Sequence, residues 1–345
     1  MYKQNSKRNF SLDIARVFAL CCIMMIHCSS LFVTKYPANS FGFWAGNVFD
    51  SLSRIGVPIF VMISGALLLD ESKLKSFRDM LKNVCRTFLL IVIWSVIYSV
   101  AFDVVSPLIH GAAINLTDFI KSAITGQVHM WYLYMLIGLY IATPFLRSFV
   151  KKENKVMVLF YIAVSLVFVF FRPVISTLGL FSDKLLLANT LLDKFHAEFF
   201  AGYTAYYLTG WYVVHIGISK SLKKLLYGIA AVSAALIIIT IYLTGDHENI
   251  YSYTNILVYL YSLGAFTAIT ALQVKKLPSP IALLSRLSFG MYIVHILINK
   301  PATYLLLDLN PLVHIILRFI IVFALSFAIS FVLSKIPIIK KIVRV

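Results

Sequence analysis

The feature that most constrains the fold of this chain is an apolar stretch, long enough to cross a membrane, that recurs along the whole sequence. A helix of about 20 residues spans a hydrocarbon core of roughly 30 Å. With 60% hydrophobic and 13% charged residues in 345, the chain has too little polar surface for a soluble globule. Ten such windows are present: 11–33, 44–69, 87–106, 128–149, 154–172, 196–218, 223–244, 253–272, 281–300 and 310–334.

Lysine and arginine concentrate in alternate loops between these windows and in the segments that flank the first and last windows. The positive-inside rule therefore places both termini in the cytoplasm, as an even number of spans requires. The sequence predicts an all-α polytopic membrane protein with about ten transmembrane helices. We expect one membrane domain over residues 1–345 and no appended soluble domain.

The formal net charge of +17 follows from this topology and from attraction to anionic lipid. We therefore expect membrane lipid, and no nucleic acid, among the partners of the chain. The basic loop after the second window is also suited to bind a phosphorylated cytosolic substrate, because lysine and arginine make charge-assisted hydrogen bonds to phosphate.

Arg16 and His27 lie inside the first window, where the bilayer makes any ionisable side chain costly. Their separation of eleven residues corresponds to about 16 Å of helical rise and places both on one stripe of the helix. His27 is suited to act as a general base; the alternative is a structural histidine that donates to a neighbouring helix. Asp13 can pair with Arg16 across one turn, either as a simple charge pair or to orient Arg16 toward a cytosolic ligand.

Arg54 falls near the middle of the second window and needs a partner there. Asp50 is one turn away, and Pro58 lacks the N–H that would bond the Arg54 carbonyl, which predicts a kink. Irregular backbone at this depth is tolerated where it lines a cavity enclosed by protein. Arg54 is therefore either a cavity residue or half of a structural ion pair.

Further polar and aromatic residues lie toward the predicted outer side. His129, Trp131 and Tyr132 open the fourth window, where either an aromatic interfacial belt or an acceptor site fits. Glu198 in the sixth window either orients a histidine or is a solvated end-of-helix carboxylate, and His295 lies deep in the ninth window. No spacing of histidines and carboxylates resembles a metal-ligand set, so no metal is expected.

Histidines toward the outside and cations toward the inside indicate a cytosolic anionic donor and an outward acceptor. Five segments carry a resemblance that covers nearly the whole chain: SLDIARVFALCCIMMIH, SRIGVPIFVMISGALLL, HMWYLYMLIGLYIATPFLR, YYLTGWYV and SFGMYIVH. In this order, they resemble acyltransferase family 3, the integral membrane acyltransferases, and in particular the O-acetyltransferases that modify bacterial surface glycans.

The resemblance implies that the first-helix pair, here Arg16 and His27, is essential. It also implies a cytoplasmic Arg-x-x-Arg motif that is linked to the acyl-CoA donor. This chain departs from that motif, because its loop reads MLKNVCRTFLL. Arg86 fits the second arginine, Asn83 replaces the first, and Lys82 is the nearest cation.

The mechanism that follows uses acyl-CoA as donor substrate, with no bound cofactor, in the bacterial cytoplasmic membrane. The nucleotide docks at Lys82 and Arg86, and the pantetheine arm passes Arg16 to reach His27. His27 deprotonates a sugar hydroxyl, while Arg54, or alternatively His129 or His295, stabilises the oxyanion. Direct transfer and an acyl-histidine intermediate both remain open.

The resemblance implies a glycan or a lipid-linked sugar as the acceptor. It implies acetyl or succinyl as the acyl group. Many relatives carry an extracytoplasmic hydrolase-like domain that completes the transfer. Since no such domain is expected here, the chain is expected to act alone, as a homo-oligomer or with a separate extracytoplasmic partner.

Two other functional classes compete with the acyltransferase interpretation. A polysaccharide transporter or exporter would respond to gradients and ignore CoA, and a sensor or scaffold domain would not need His27 for chemistry.

Overall fold

The computed structural model describes residues 9–70, 76–195, 197 and 202–337, and these residues form helices joined by turns. Short 3₁₀ and π-helical segments extend or connect several of the α-helices. The α-helices in the described part of the chain are α1 Phe10–Lys35, α2 Phe41–Ser53, α3 Gly56–Leu68, α4 Phe77–Ser99, α5 Ser106–Ile109, α6 Leu116–Thr125, α7 Trp131–Phe149, α8 Lys155–Ser165, α9 Arg172–Gly179, α10 Asp183–Asp193, α11 Thr204–Trp211, α12 Lys220–Thr244, α13 His247–Ile250, α14 Ile256–Thr270, α15 Ser279–Leu305 and α16 Pro311–Leu333.

Eight helical stretches of the described chain are long and apolar enough to cross a membrane, and they match eight of the ten predicted windows. The window 253–272 contains α14, a shorter apolar helix. The window 196–218 contains α11 and a π-helical continuation to Ile216, and part of it lies outside the described residues. The chain is thus an all-α polytopic membrane protein, whereas ten crossings and cytoplasmic termini stay predictions.

Helix α1 lies at the centre of the bundle and packs against α2, α3, α15 and α16. It runs parallel to α15, because Asp13 bonds Ser285 and the His27 carbonyl bonds Asn299, both at a sequence separation of 272. We call the end of the bundle where α1 begins the inner end and the opposite end the outer end. The sequence predicts that the inner end faces the cytoplasm.

The predicted kink in the second window is confirmed. Helix α2 ends at Ser53 and α3 begins at Gly56, so Arg54 lies at the break between them, four residues before Pro58 of the new helix. Proline fits the first turn of a helix, where its missing N–H would have no intrahelical partner. At this break, the Arg54 side chain is not confined to the side-chain positions of α2.

The predicted loop that carries Lys82 and Arg86 is helical, which corrects the sequence-based boundary of the third window. Helix α4 begins at Phe77, where Ser76 and Asp79 cap each other's backbone reciprocally. Such a capping box fixes a helix start even where the first turns are polar. Lys82 and Arg86 are exposed on α4 and, four residues apart, share one face of it.

Helices α3 and α11 approach each other closely through two glycines. A Cβ added to Gly65 would lie 1.8 Å from the Tyr207 carbonyl oxygen, and one added to Gly210 would lie 1.9 Å from the Met62 carbonyl oxygen. Small residues let membrane helices pack backbone to backbone, since lipid supplies no hydrophobic drive for association. These two positions therefore require glycine.

We expect Gly65→Ala and Gly210→Ala each to force α3 and α11 apart and to destabilise the protein by about 1–3 kcal/mol or more, as overpacking does. The measurement is the thermal unfolding midpoint and monodisperse yield in detergent. Gly138→Ala and Gly228→Ala are matched controls, because nothing lies within 4 Å of a Cβ at either helical position. Equal midpoints for Gly210→Ala and the controls would contradict the close approach.

Candidate active site

Three histidines that are far apart in the sequence converge in the outer half of the bundle. They come from α1, from the turn before α7 and from α15. The ring centroids of His27 and His295 are 5.1 Å apart, those of His129 and His295 5.3 Å, and those of His27 and His129 6.5 Å. We call His27, His129 and His295 the histidine cluster.

Only one member of the cluster is accessible. His27 keeps part of its surface exposed, whereas His129 and His295 are buried, with 3% and 0% exposure. His27 is therefore the histidine that a substrate can meet, and the other two form a layer behind it.

The aromatic surroundings fix the two buried rings. His295 Nδ1 donates to the Tyr292 carbonyl, which leaves Nε2 as the basic nitrogen. Tyr292 donates to the His129 carbonyl at 2.5 Å, and the Tyr98 ring lies edge-on to His129 at 5.1 Å. Both His129 ring nitrogens and His295 Nε2 are buried without a hydrogen bond of good geometry to the described residues.

The predicted pairing of Arg16 with Asp13 is confirmed, and α15 reinforces it. Arg16 Nη1 donates to Asp13 Oδ1 at 3.2 Å and to Ser285 Oγ at 3.1 Å, while Ser285 donates to Asp13 at 2.6 Å. The Asp13 side chain is buried, whereas the Arg16 side chain is 28% exposed. Arg16 is thus held in place with part of its side chain exposed, toward the inner end of the helix that carries His27.

Arg54 also pairs as predicted. Its Nη2 lies 2.5 Å from Asp50 Oδ1, and Asp50 is fully buried. The Arg54 guanidinium lies 4.1 Å from the centroid of the Tyr251 ring and 5.9 Å from that of the Tyr253 ring. The ion pair is therefore present, and the guanidinium also lies beside two tyrosine rings.

Trp131 and Tyr132 face the interior of the bundle. Trp131 stacks on Tyr253 with centroids 5.4 Å apart, and Tyr132 is buried with its ring 5.8 Å from Tyr292. Tyr292 in turn lies 5.7 Å from His295. These rings form a continuous aromatic wall beside the histidine cluster, which an interfacial belt turned toward lipid would not do.

The remaining candidates do not join the cluster. Lys82 lies near the inner end, 3.8 Å from Asp79, and Arg86 is exposed four residues further along α4. Glu198 lies outside the described residues. Among the residues that the structure describes, no group of three or more His, Cys, Asp or Glu could hold a metal ion.

Sequence reasoning missed two residues that contact the turn of His27. Asn299 donates to the His27 carbonyl at 3.1 Å and accepts from Arg318 Nε at 2.8 Å. An arginine inside the last apolar window was the available signal for Arg318. Asn299 lies four residues after His295, so the two share one face of α15.

This geometry suits group transfer across the bundle, and a comparison with protein families decides the class. A family model described as an acyltransferase domain, Acyl_transf_3, matches residues 9–335, which is essentially the whole chain. The chain belongs to this acyltransferase family. This match confirms the resemblance carried by the five segments: the chain is a membrane acyltransferase. The match gives no support to the transporter alternative. No curated protein and no solved structure shows significant similarity to the chain.

Proposed function

We propose that this acyltransferase moves an acyl group, acetyl in the first instance, from cytosolic acyl-CoA to a hydroxyl of an extracytoplasmic or lipid-linked glycan. Its place would be the bacterial cytoplasmic membrane. The observation that carries the proposal is the histidine cluster, in which only His27 is accessible, in the outer half of the helix whose inner half holds Arg16. One helix then meets a donor from one side and an acceptor from the other.

The chemistry is a base-assisted acyl transfer. His27 takes the proton of the acceptor hydroxyl as its oxygen attacks the thioester carbonyl. The tetrahedral intermediate collapses by breaking the carbon–sulfur bond, and the CoA thiolate receives the proton from His27. The products are an ester and the CoA thiol. In the acyl-histidine alternative, the His27 nitrogen attacks the thioester carbon first, the carbon–sulfur bond breaks, and the CoA thiolate takes the proton of the imidazole. The acceptor hydroxyl oxygen then attacks the acyl carbon, the carbon–nitrogen bond breaks, and the hydroxyl proton returns to the imidazole.

Negative charge develops on the carbonyl oxygen in either route, and preorganised positive charge or donors stabilise it. Arg54 is our candidate for this role because its guanidinium lies 5.9 Å from the Tyr253 ring, which stacks on Trp131 of the aromatic wall beside the histidine cluster. His129 and His295 are the alternatives. Because His295 Nδ1 already donates to the Tyr292 carbonyl, His295 would donate from Nε2 only when its ring carries a second proton.

The donor docks at the inner end, where Lys82 and Arg86 share the exposed face of α4 and can contact the CoA phosphates. Arg16 lies eleven residues before His27 on α1, toward the inner end, and is our candidate for a residue on the path of the pantetheine arm. Acyl-CoA is a substrate here, and the proposal needs no bound cofactor.

We expect Lys82→Gln combined with Arg86→Gln to raise KM for acetyl-CoA about tenfold, equivalent to about 1.4 kcal/mol of lost binding. KM for acetyl-pantetheine should stay unchanged, because that donor lacks the nucleotide phosphates. Steady-state kinetics with both donors make the measurement. Lys155→Gln, an exposed cation of α8, is the control. Equal effects on both donors would remove the phosphate-docking role.

The function itself is tested with purified protein in detergent, where no gradient exists. We expect release of CoA thiol from acetyl-CoA that rises on addition of a glycan acceptor, together with alkali-labile acetyl on that acceptor. A protein that neither binds nor consumes any acyl-CoA, acetyl and succinyl included, would refute the proposal.

A further inference from the structure

Two helices hold the turn of α1 that carries His27. Helix α15 presents His295 and Asn299 to it, and α16 presents His314 and Arg318, each pair four residues apart and so on one face. The His295 ring lies 5.1 Å from the His27 ring. Further along α1, the His314 ring lies edge-on to Phe32, also with centroids 5.1 Å apart.

The link between these helices and α1 is a chain of hydrogen bonds through Asn299. The Asn299 amide nitrogen donates to the His27 carbonyl at 3.1 Å, and its oxygen accepts from Arg318 Nε at 2.8 Å. Arg318 Nη1 donates in addition to the Cys28 carbonyl at 3.3 Å. Two successive carbonyls of α1 are thus fixed, that of His27 by Asn299 and that of Cys28 by Arg318, and the planar guanidinium fork reaches Asn299 and the Cys28 carbonyl at once.

Arg318 differs from the other arginines near α1. Arg16 and Arg54 each pair with an aspartate of their own helix. Arg318 is buried at 4% exposure, and within the described residues it forms no ion pair with a carboxylate. A buried unpaired charge is costly for stability in an apolar medium, so a purely structural role is a poor explanation for this arginine.

We propose that Arg318, acting through Asn299, is a positioning residue for His27. It fixes the backbone at His27 and thereby the direction of the imidazole relative to His295. Its role in turnover rests on the proposed function, since His27 is the base of that reaction. Arg318 itself does not touch the reacting atoms. A displacement of about 1 Å at a reacting group can cost about 10²-fold in rate, which sets the size of the effect.

We expect Arg318→Met to lower kcat about 10²-fold while KM for acyl-CoA stays within about threefold. The thermal midpoint should stay the same or rise, because a buried charge is replaced by an apolar chain. Arg318→Lys should recover part of kcat, since it keeps a charged donor for one acceptor. Asn299→Leu should resemble Arg318→Met, and the double variant should be no slower than either single one. A loss of kcat that simply follows the midpoint, or additive losses in the double variant, would overturn the proposal.

A second readout does not depend on turnover. Diethylpyrocarbonate modifies accessible histidines, and the exposed His110 is an internal reference. We expect the rate ratio of His27 to His110 to rise about threefold or more in Arg318→Met, because the turn is released locally. An unchanged ratio would refute positioning. A changed ratio in a protein that consumes no acyl-CoA would uphold positioning and refute the proposed function alone.

Discussion

His27→Gln is expected to abolish measurable acyl transfer while the protein stays folded. A positioned general base contributes about 10²- to 10⁴-fold in rate, and glutamine offers no nitrogen that takes up a proton at neutral pH. The backbone contacts of this turn, including the bond from Asn299 to the residue 27 carbonyl, do not depend on the side chain. The partly exposed position of His27 also lets the substituted side chain find space.

The decisive measurement is the alkali-labile acetyl content of surface glycans in cells that lack the protein, restored with wild type or with His27→Gln at equal membrane abundance. His110→Gln is the control, because His110 is exposed and its ring bonds the Ser106 carbonyl of its own turn, at 2.7 Å. Acetyl that returns with wild type and the control, but not with His27→Gln, is the expected result. Equal recovery in all strains would clear His27 of catalysis.

The spans and several local contacts could be predicted from the sequence because they depend on composition and short spacing. The Asp13–Arg16 and Asp50–Arg54 pairs follow from separations of three and four residues. The break after Ser53 follows from the missing N–H of Pro58. The start of α4 was misplaced because its first turns are polar, and only the capping residues Ser76 and Asp79 mark it.

The convergence of the histidine cluster could not be predicted, because residue spacing carries no information about how α1, α7 and α15 pack together. His129 and His295 were identified singly from their chemistry, and the fold brings them to His27. Arg318 carried a visible signal as an ionisable residue inside an apolar window. Its partner Asn299 carried none, since a lone asparagine near a helix end is an ordinary residue until its neighbour is known.

Asp50→Asn and Arg54→Met are each expected to destabilise the protein by about 3–5 kcal/mol, because either change leaves one charge unpaired in the interior. The double variant should recover most of that loss, since both charges are then absent. Thermal unfolding midpoints in detergent measure the effect. The matched control is the ion pair of Arg172 with Asp193, whose side chains are 36% and 66% exposed. Removing that pair should cost less than about 1 kcal/mol, as exposed pairs do.

The double variant also separates the two interpretations of Arg54. If Arg54 is only half of a structural pair, the folded double variant should turn over acyl-CoA at the wild-type rate. If its charge stabilises the oxyanion beside His27, the folded variant should lose about 10²- to 10³-fold in kcat, as removal of an oxyanion donor does. We expect the second result, because the guanidinium lies beside Tyr251 and Tyr253, and Tyr253 stacks on Trp131 beside the histidine cluster. A double variant that remains as unstable as the single ones would contradict the pair itself.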